Sequence, residues 1–173
     1  MCIPFCILQK IRAKYKPKWR SKIFFYRQNV NFHMKGFHFK IQIPLRFSDI
    51  DALGHVNNAT YLTYFEIARS AYWEEIIEWD WKSLGIIIRK SVVDYIKPIM
   101  LSDKIFAYVR TSKIGNSSFE LEYVLVKKLD EMEEICTSGQ TICVCFDYLN
   151  QKPAGIPEHQ RYLMEKSMKL DLK

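Results

Sequence analysis

Apolar positions first fall into a regular rhythm near residue 38, where Phe39, Ile41, Ile43 and Leu45 recur at every second place. That is the period of a strand with one buried face, and it predicts a strand over His38–Arg46. A turn-rich stretch follows from Ser48 to Asn58, and then the period lengthens. From Ala59 to about Ile77, Tyr61, Phe65, Ala68 and Tyr72 form one stripe, while Leu62, Tyr64, Ile67 and Ala71 fill most of the remainder. A helix so apolar around its circumference is buried on most sides. Its polar residues include Glu66 and Arg69, spaced to pair along the helix.

Beyond Trp79-Asp80-Trp81 the pattern returns to strands: Ile86–Ile96, Asp103–Ile114, Phe119–Leu129 and Ile135–Tyr148. Gly115 to Ser118 supplies one turn and the acidic run Asp130–Glu134 the next, and Pro157–Met168 reads as a closing helix. One strand, a long buried helix and a meander of strands predict an α+β fold, with an antiparallel sheet curled around the helix. The edge strand of such a sheet is left to pair with a second copy, giving a homodimer or a homotetramer.

Composition narrows the class. Of 173 residues, 49% are hydrophobic and 14% aromatic, which excludes a disordered chain. No run approaches the roughly 20 apolar residues of a membrane span. The net charge of +7 is unevenly placed: residues 1–40 hold ten Lys or Arg and no acid, so the remainder is mildly acidic. Residues 1–36 therefore read as a basic extension, and 37–173 as the folded domain. The extension has its apolar stretch ahead of its cations, unlike a secretory signal, and it favours Lys and aromatics over the Arg and Ser of a mitochondrial presequence. Cations interleaved with Tyr15, Trp19, Phe24, Phe25 and Tyr26 would suit a nucleic-acid or membrane-surface arm. Equally, the segment reads as dispensable, ahead of a start at Met34. The acidic balance of the domain argues against nucleic acid as its partner.

Five cysteines, an odd number without a secretory signal, suit a reducing compartment, and we expect a cytoplasmic protein. Cys143 and Cys145 share a strand face and read as core residues. The histidines, at 33, 38, 55 and 159, are scattered, so neither a metal nor a cofactor is expected.

Chemistry-bearing residues concentrate between Asp49 and Asn58, where Asp49, Asp51, His55, Asn57 and Asn58 lead into the helix. Asn57 or Asn58 suits an N-cap. The first-turn amides beyond carry the positive end of the helix dipole and could hold the charge that develops on an attacked carbonyl oxygen. A carboxylate just upstream could activate water or attack the carbonyl itself. The same residues are also ordinary turn formers, with Gly54 supplying a positive φ.

The run Arg46-Phe-Ser-Asp-Ile-Asp-Ala-Leu-Gly-His-Val-Asn-Asn, continued by Tyr61-Leu-Thr-Tyr-Phe-Glu66, resembles the signature of hot-dog-fold acyl-CoA thioesterases of the 4-hydroxybenzoyl-CoA thioesterase type. Weaker matches follow at Asp94–Pro98, Ser102-Asp103 and Lys113–Glu122. The resemblance covers about residues 37–150 and implies hydrolysis of an acyl-CoA or acyl-carrier-protein thioester. It makes Asp51 the catalytic carboxylate, as nucleophile or general base, and has the backbone N–H at Asn58 polarise the carbonyl. His55 assists, and Asn57, Tyr61 and Glu66 are expected to adjoin the substrate, Glu66 matching a recurrent family glutamate of more structural than catalytic character. Two other readings compete: a hydratase or dehydratase on acyl-CoA, and a non-catalytic binder of acyl-CoA or nucleic acid.

Overall fold

A computed structural model of the chain describes Met34 and residues 36–171, apart from positions 83 and 131. The basic extension, 1–36, lies outside the described residues but for Met34 and Gly36.

The elements run β1 (Phe39–Ile43), a 3-10 turn (Phe47–Asp49), α1 (Thr60–Tyr72) with a π-helical turn (Trp73–Ile77), β2 (Gly85–Tyr95), β3 (Ile105–Ile114), β4 (Ser118–Leu129), β5 (Met132–Asp147), β6 (Lys152–Pro153) and α2 (Glu158–Asp171). All strand pairings are antiparallel, in the order β1-β3-β4-β5-β2, with β6 beside β5. The long strands hold to a period of two. Ile105, Ala107, Val109 and Thr111 of β3 and Phe119, Leu121, Tyr123 and Leu125 of β4 are buried.

Tyr61, Tyr64, Phe65, Ala68 and Tyr72 of α1 meet that surface, spaced three and four apart as one helix face requires. Phe65 stacks on Tyr123 with ring centroids 4.5 Å apart. Burying each such side chain contributes about 1.5–3 kcal/mol. Gly139 of β5 allows this close approach, since a Cβ there would stand 2.3 Å from the Phe65 ring and 2.8 Å from the Val92 carbonyl oxygen. Helix and sheet are thus fully packed at this point. The π-helical turn ends at Glu78, which takes a left-handed conformation (φ 53°). α2 closes the far end: the Tyr72 hydroxyl bonds Thr111 and Ser167, and Gln160 donates to the Glu78 carbonyl at 2.8 Å.

The α+β fold, a sheet wrapped on one long helix, is the one expected. Three details differ. The Asp130–Glu134 run is not a turn, because β5 begins at Met132 and pairs Lys127 with Glu134 and Lys128 with Glu133. Opposite charges across the ladder extend the hairpin to a two-residue turn, with Asp130 at φ 48°. The first strand is shorter than expected, since Pro44 cannot donate to a ladder. Finally, α1 is not covered all round in the single chain: Leu62 is 43% exposed, and Thr63, Glu66 and Ser70 are exposed on the same side. Cys143 and Cys145 face the core, where burial pushes their thiol pKa values up to about 11 and about 12.

Candidate active site

The connection from β1 to α1 is held from below by Asp49. This carboxylate is 3% exposed and accepts the Arg46 backbone N–H at 2.9 Å, the Arg46 guanidinium at 3.0 and 3.1 Å, and the Tyr64 hydroxyl at 2.9 Å. Burial pushes its pKa up, but these donors outweigh burial and hold it below the usual carboxylate value. The same contact raises the Tyr64 phenol, with burial the larger cause. Asp49 is thus committed to structure, leaving Asp51 as the second acid of the pair.

Above it the chain doubles back. A bridge joins Ile50 to Val56, the Asp51 N–H donates to the His55 carbonyl at 2.9 Å, and the Gly54 N–H donates to the Asp51 carbonyl at 3.0 Å. Gly54 sits at φ 83°, a region that costs glycine little. The fold-back brings Asp51 and His55 together, with His55 Nδ1 3.3 Å from Asp51 Oδ2. The other carboxylate oxygen accepts the Leu53 N–H at 2.8 Å. Both oxygens are oriented, and each keeps a lone pair for a further partner. The Asp51 side chain stays 24% exposed and that of His55 37%, so water and solute reach the pair.

The helix start lies a few residues on. The Asn57 side chain accepts the Ala59 N–H at 2.9 Å, and its carbonyl accepts the Thr60 N–H at 3.0 Å. The N-cap is Ala59, with no side-chain cap bond, so neither asparagine is the expected cap; the Asn57 side chain holds the turn just ahead of the helix. Asn58 is exposed, and its N–H donates to no protein group among the described residues. Tyr61 is buried at 3% exposure, with its ring edge-on to Tyr95 at 5.0 Å. Glu66 stands apart, exposed and 3.7 Å from Arg69. Asp51, His55, Asn57 and Asn58 thus share one loop, Tyr61 packs beneath it, and Glu66 lies further along the helix.

Residues 95–99 clamp this loop, which the sequence pattern alone does not reveal. The Val56 N–H donates to the Ile99 carbonyl at 2.8 Å, and the Tyr95 hydroxyl donates to the Asn58 carbonyl at 2.9 Å. Ile96 and Lys97 N–H groups both donate to the Cys136 carbonyl, and Lys97 pairs with Glu134. The sequence signals near these residues are the weaker family match at Asp94–Pro98 and the stop at Pro98, and neither gives these contacts. No group of three or more His, Cys, Asp or Glu among the described residues could hold a metal ion.

Residues 45–164 match the model of the thioesterase-like superfamily, which spans the whole loop, the helix and the sheet beyond it. The chain belongs to this superfamily. The long-chain acyl-CoA thioesterase FadM of Escherichia coli (strain K12) is 25% identical over 131 residues, covering 74% of this chain and 98% of that protein. The uncharacterized protein YsmA of Bacillus subtilis (strain 168) is 32% identical over 110 residues, 63% of this chain and 73% of that one. Among solved structures, a thioesterase from Thermus thermophilus complexed with coenzyme A and Zn aligns with a TM-score of 0.69 at 33% identity, covering 79% of this chain and 98% of that one. This hot-dog protein is thus a thioesterase, and its sheet and helix are those of the family.

Proposed function

We propose that the protein hydrolyses an acyl-CoA or acyl-carrier-protein thioester to the free acid and the thiol, with Asp51 as nucleophile or general base. One observation carries this reading: an oriented, solvent-reached carboxylate shares a short folded-back loop with a helix start whose Asn58 N–H has no protein acceptor among the described residues. As nucleophile, an Asp51 oxygen bonds to the thioester carbon, the carbonyl oxygen takes the negative charge beside the helix-start amides, and the thiolate leaves. Water then cleaves the mixed anhydride. As general base, Asp51 takes a proton from water, which attacks the same carbon. His55, in contact with Asp51, orients the carboxylate on either route and can deliver a proton to the leaving thiolate.

The likeness to FadM and to the coenzyme-A-bound thioesterase supports a CoA-type substrate. β2 supports assembly of two copies: it ends one side of the sheet, and Ile87, Val92 and Tyr95 along it and Ile96 just beyond it are exposed. Buried, unpaired Cys136, Cys143 and Cys145 accord with work in the reducing cytoplasm, and the likeness to a long-chain acyl-CoA thioesterase supports fatty acyl groups.

Thiol release from acyl-CoA substrates of graded chain length tests the reading. The native protein is expected to release thiol and Asp51→Ala to lose about 10²–10⁴-fold in kcat, the span of a positioned acid or base. Undiminished turnover by Asp51→Ala removes Asp51 from the chemistry.

A further inference from the structure

We infer that Tyr95, at the end of β2, is a positioning residue for the helix-start amide, acting through the carbonyl of Asn58. The inference rests on the thioesterase reading above and extends it to a residue outside the loop.

The backbone hydrogen bonds of the first turn of α1 carry the argument. In a regular α-helix each carbonyl accepts the N–H four residues on. Here the start is wound tighter: the Thr60 N–H reaches back three residues to Asn57, at 3.0 Å, and the Leu62 N–H three residues to Ala59, at 3.2 Å. The helix is capped at Ala59, so the Asn58 carbonyl lies just ahead of the ladder and has no helical N–H to accept. The Asn58 carbonyl accepts the Tyr95 hydroxyl at 2.9 Å instead. Tyr95 is in turn fixed: its ring stands edge-on to the buried Tyr61 ring at 89°, and the next two N–H groups are pinned to the Cys136 carbonyl at 2.9 and 3.0 Å. A rigid strand end therefore holds the carbonyl that stands just ahead of the helix.

A carbonyl held in this way fixes the plane of its own peptide and so the ψ angle of Asn58. Together with the Asn57 side chain, which holds the Ala59 N–H, it brackets the Asn58 N–H from the C-terminal side. Without the phenolic hydroxyl, the 58–59 peptide is held only through the Ala59 N–H and is free to rotate about it. The turn ahead of the helix then loosens, and the Asn58 N–H loses its fixed aim. An oxyanion donor works only when aimed at the place where charge develops, so the loss falls on the transition state. Tyr95 touches no reacting atom in this account.

Tyr95→Phe isolates the hydroxyl, since the ring and its packing on Tyr61 are kept. Tyr108→Phe is the control: it removes another tyrosine hydroxyl bond, to Glu133, on the β3–β5 side of the sheet. Thiol-release kinetics on the native protein and both variants are expected to show kcat reduced about 10-fold in Tyr95→Phe, with KM within about twofold, because only a transition-state contact is weakened. Tyr108→Phe should match the native protein. Amide NMR gives a readout independent of turnover: the Asn58 and Ala59 signals should shift in Tyr95→Phe and stay in place in Tyr108→Phe. An active native protein whose Tyr95→Phe variant keeps its kcat, or keeps those amide signals, overturns the inference alone. A native protein that cleaves no thioester overturns the thioesterase reading together with it.

Discussion

Replacing Asp49 by Ala tests whether the active loop rests on a buried carboxylate. The substitution removes an acceptor that serves the Arg46 N–H, the Arg46 guanidinium and the Tyr64 hydroxyl. The Arg46 side chain is 59% exposed and finds water, so its guanidinium bonds count for little. Two bonds remain, from the Arg46 N–H and Tyr64, at about 1.5–3 kcal/mol each as bonds to a charged group. Tyr64, fully buried, is also left with an unsatisfied hydroxyl. The expected loss is therefore about 3–6 kcal/mol, read as a lowered urea midpoint at unchanged slope. Tyr64→Phe keeps the carboxylate and the Arg46 bonds and should cost about half as much. The pH dependence has a definite sign. Because the folded-state pKa lies below the unfolded one, the contribution is complete above the ordinary carboxylate value of about 3.9 and is lost as pH falls through the folded value. The gap between native and Asp49→Ala should accordingly be constant near neutrality and close below about pH 4. A loss under about 1 kcal/mol at pH 7 would show that Asp49 is not the support of the loop.

Two further outcomes follow from the packing and the free edge. Gly139→Ala places a methyl group 2.3 Å from the Phe65 ring and should cost about 1–3 kcal/mol in thermal unfolding, whereas an unchanged melting temperature would mean that α1 is free to retreat from β5. Val92→Lys puts a charge on the exposed edge strand, and light scattering should then find the 20.6 kDa single chain where the native protein gives twice that mass; a native protein already at 20.6 kDa refutes the edge pairing.

Much of this architecture was legible because period and face coincide. The alternation in β3 and β4 and the three-and-four spacing of Tyr61, Phe65, Ala68 and Tyr72 report one buried surface each, and those surfaces meet. The hairpin between β4 and β5 was misread because Glu133 and Glu134 look like turn residues along the chain, while their partners Lys128 and Lys127 are met only across the ladder. The candidate loop was legible as a cluster because Asp51, His55, Asn57 and Asn58 are neighbours in sequence. The division of labour between Asp49 and Asp51 was not, since it depends on Tyr64 arriving from the helix to satisfy one of two similar acids. Tyr95 fell inside the matched run Asp94–Pro98, yet its contact was not legible: the hydrogen bond spans 37 positions, and a tyrosine at a strand end carries no local mark of it.

The contact between Phe65 and Gly139 bears on where chain length is measured in the proposed reaction. With a ring seated directly on the sheet backbone and stacked on Tyr123, the space between α1 and β5 is already filled. An acyl tail entering from the Asn58 end cannot thread that gap. The open course is the uncovered flank of α1, past Leu62 and Glu66, whose second wall a neighbouring copy would supply. If acyl tails run along that flank of a paired protein, selection among them belongs to the pair, and substitutions there should retune substrate preference while leaving the fold of each chain intact.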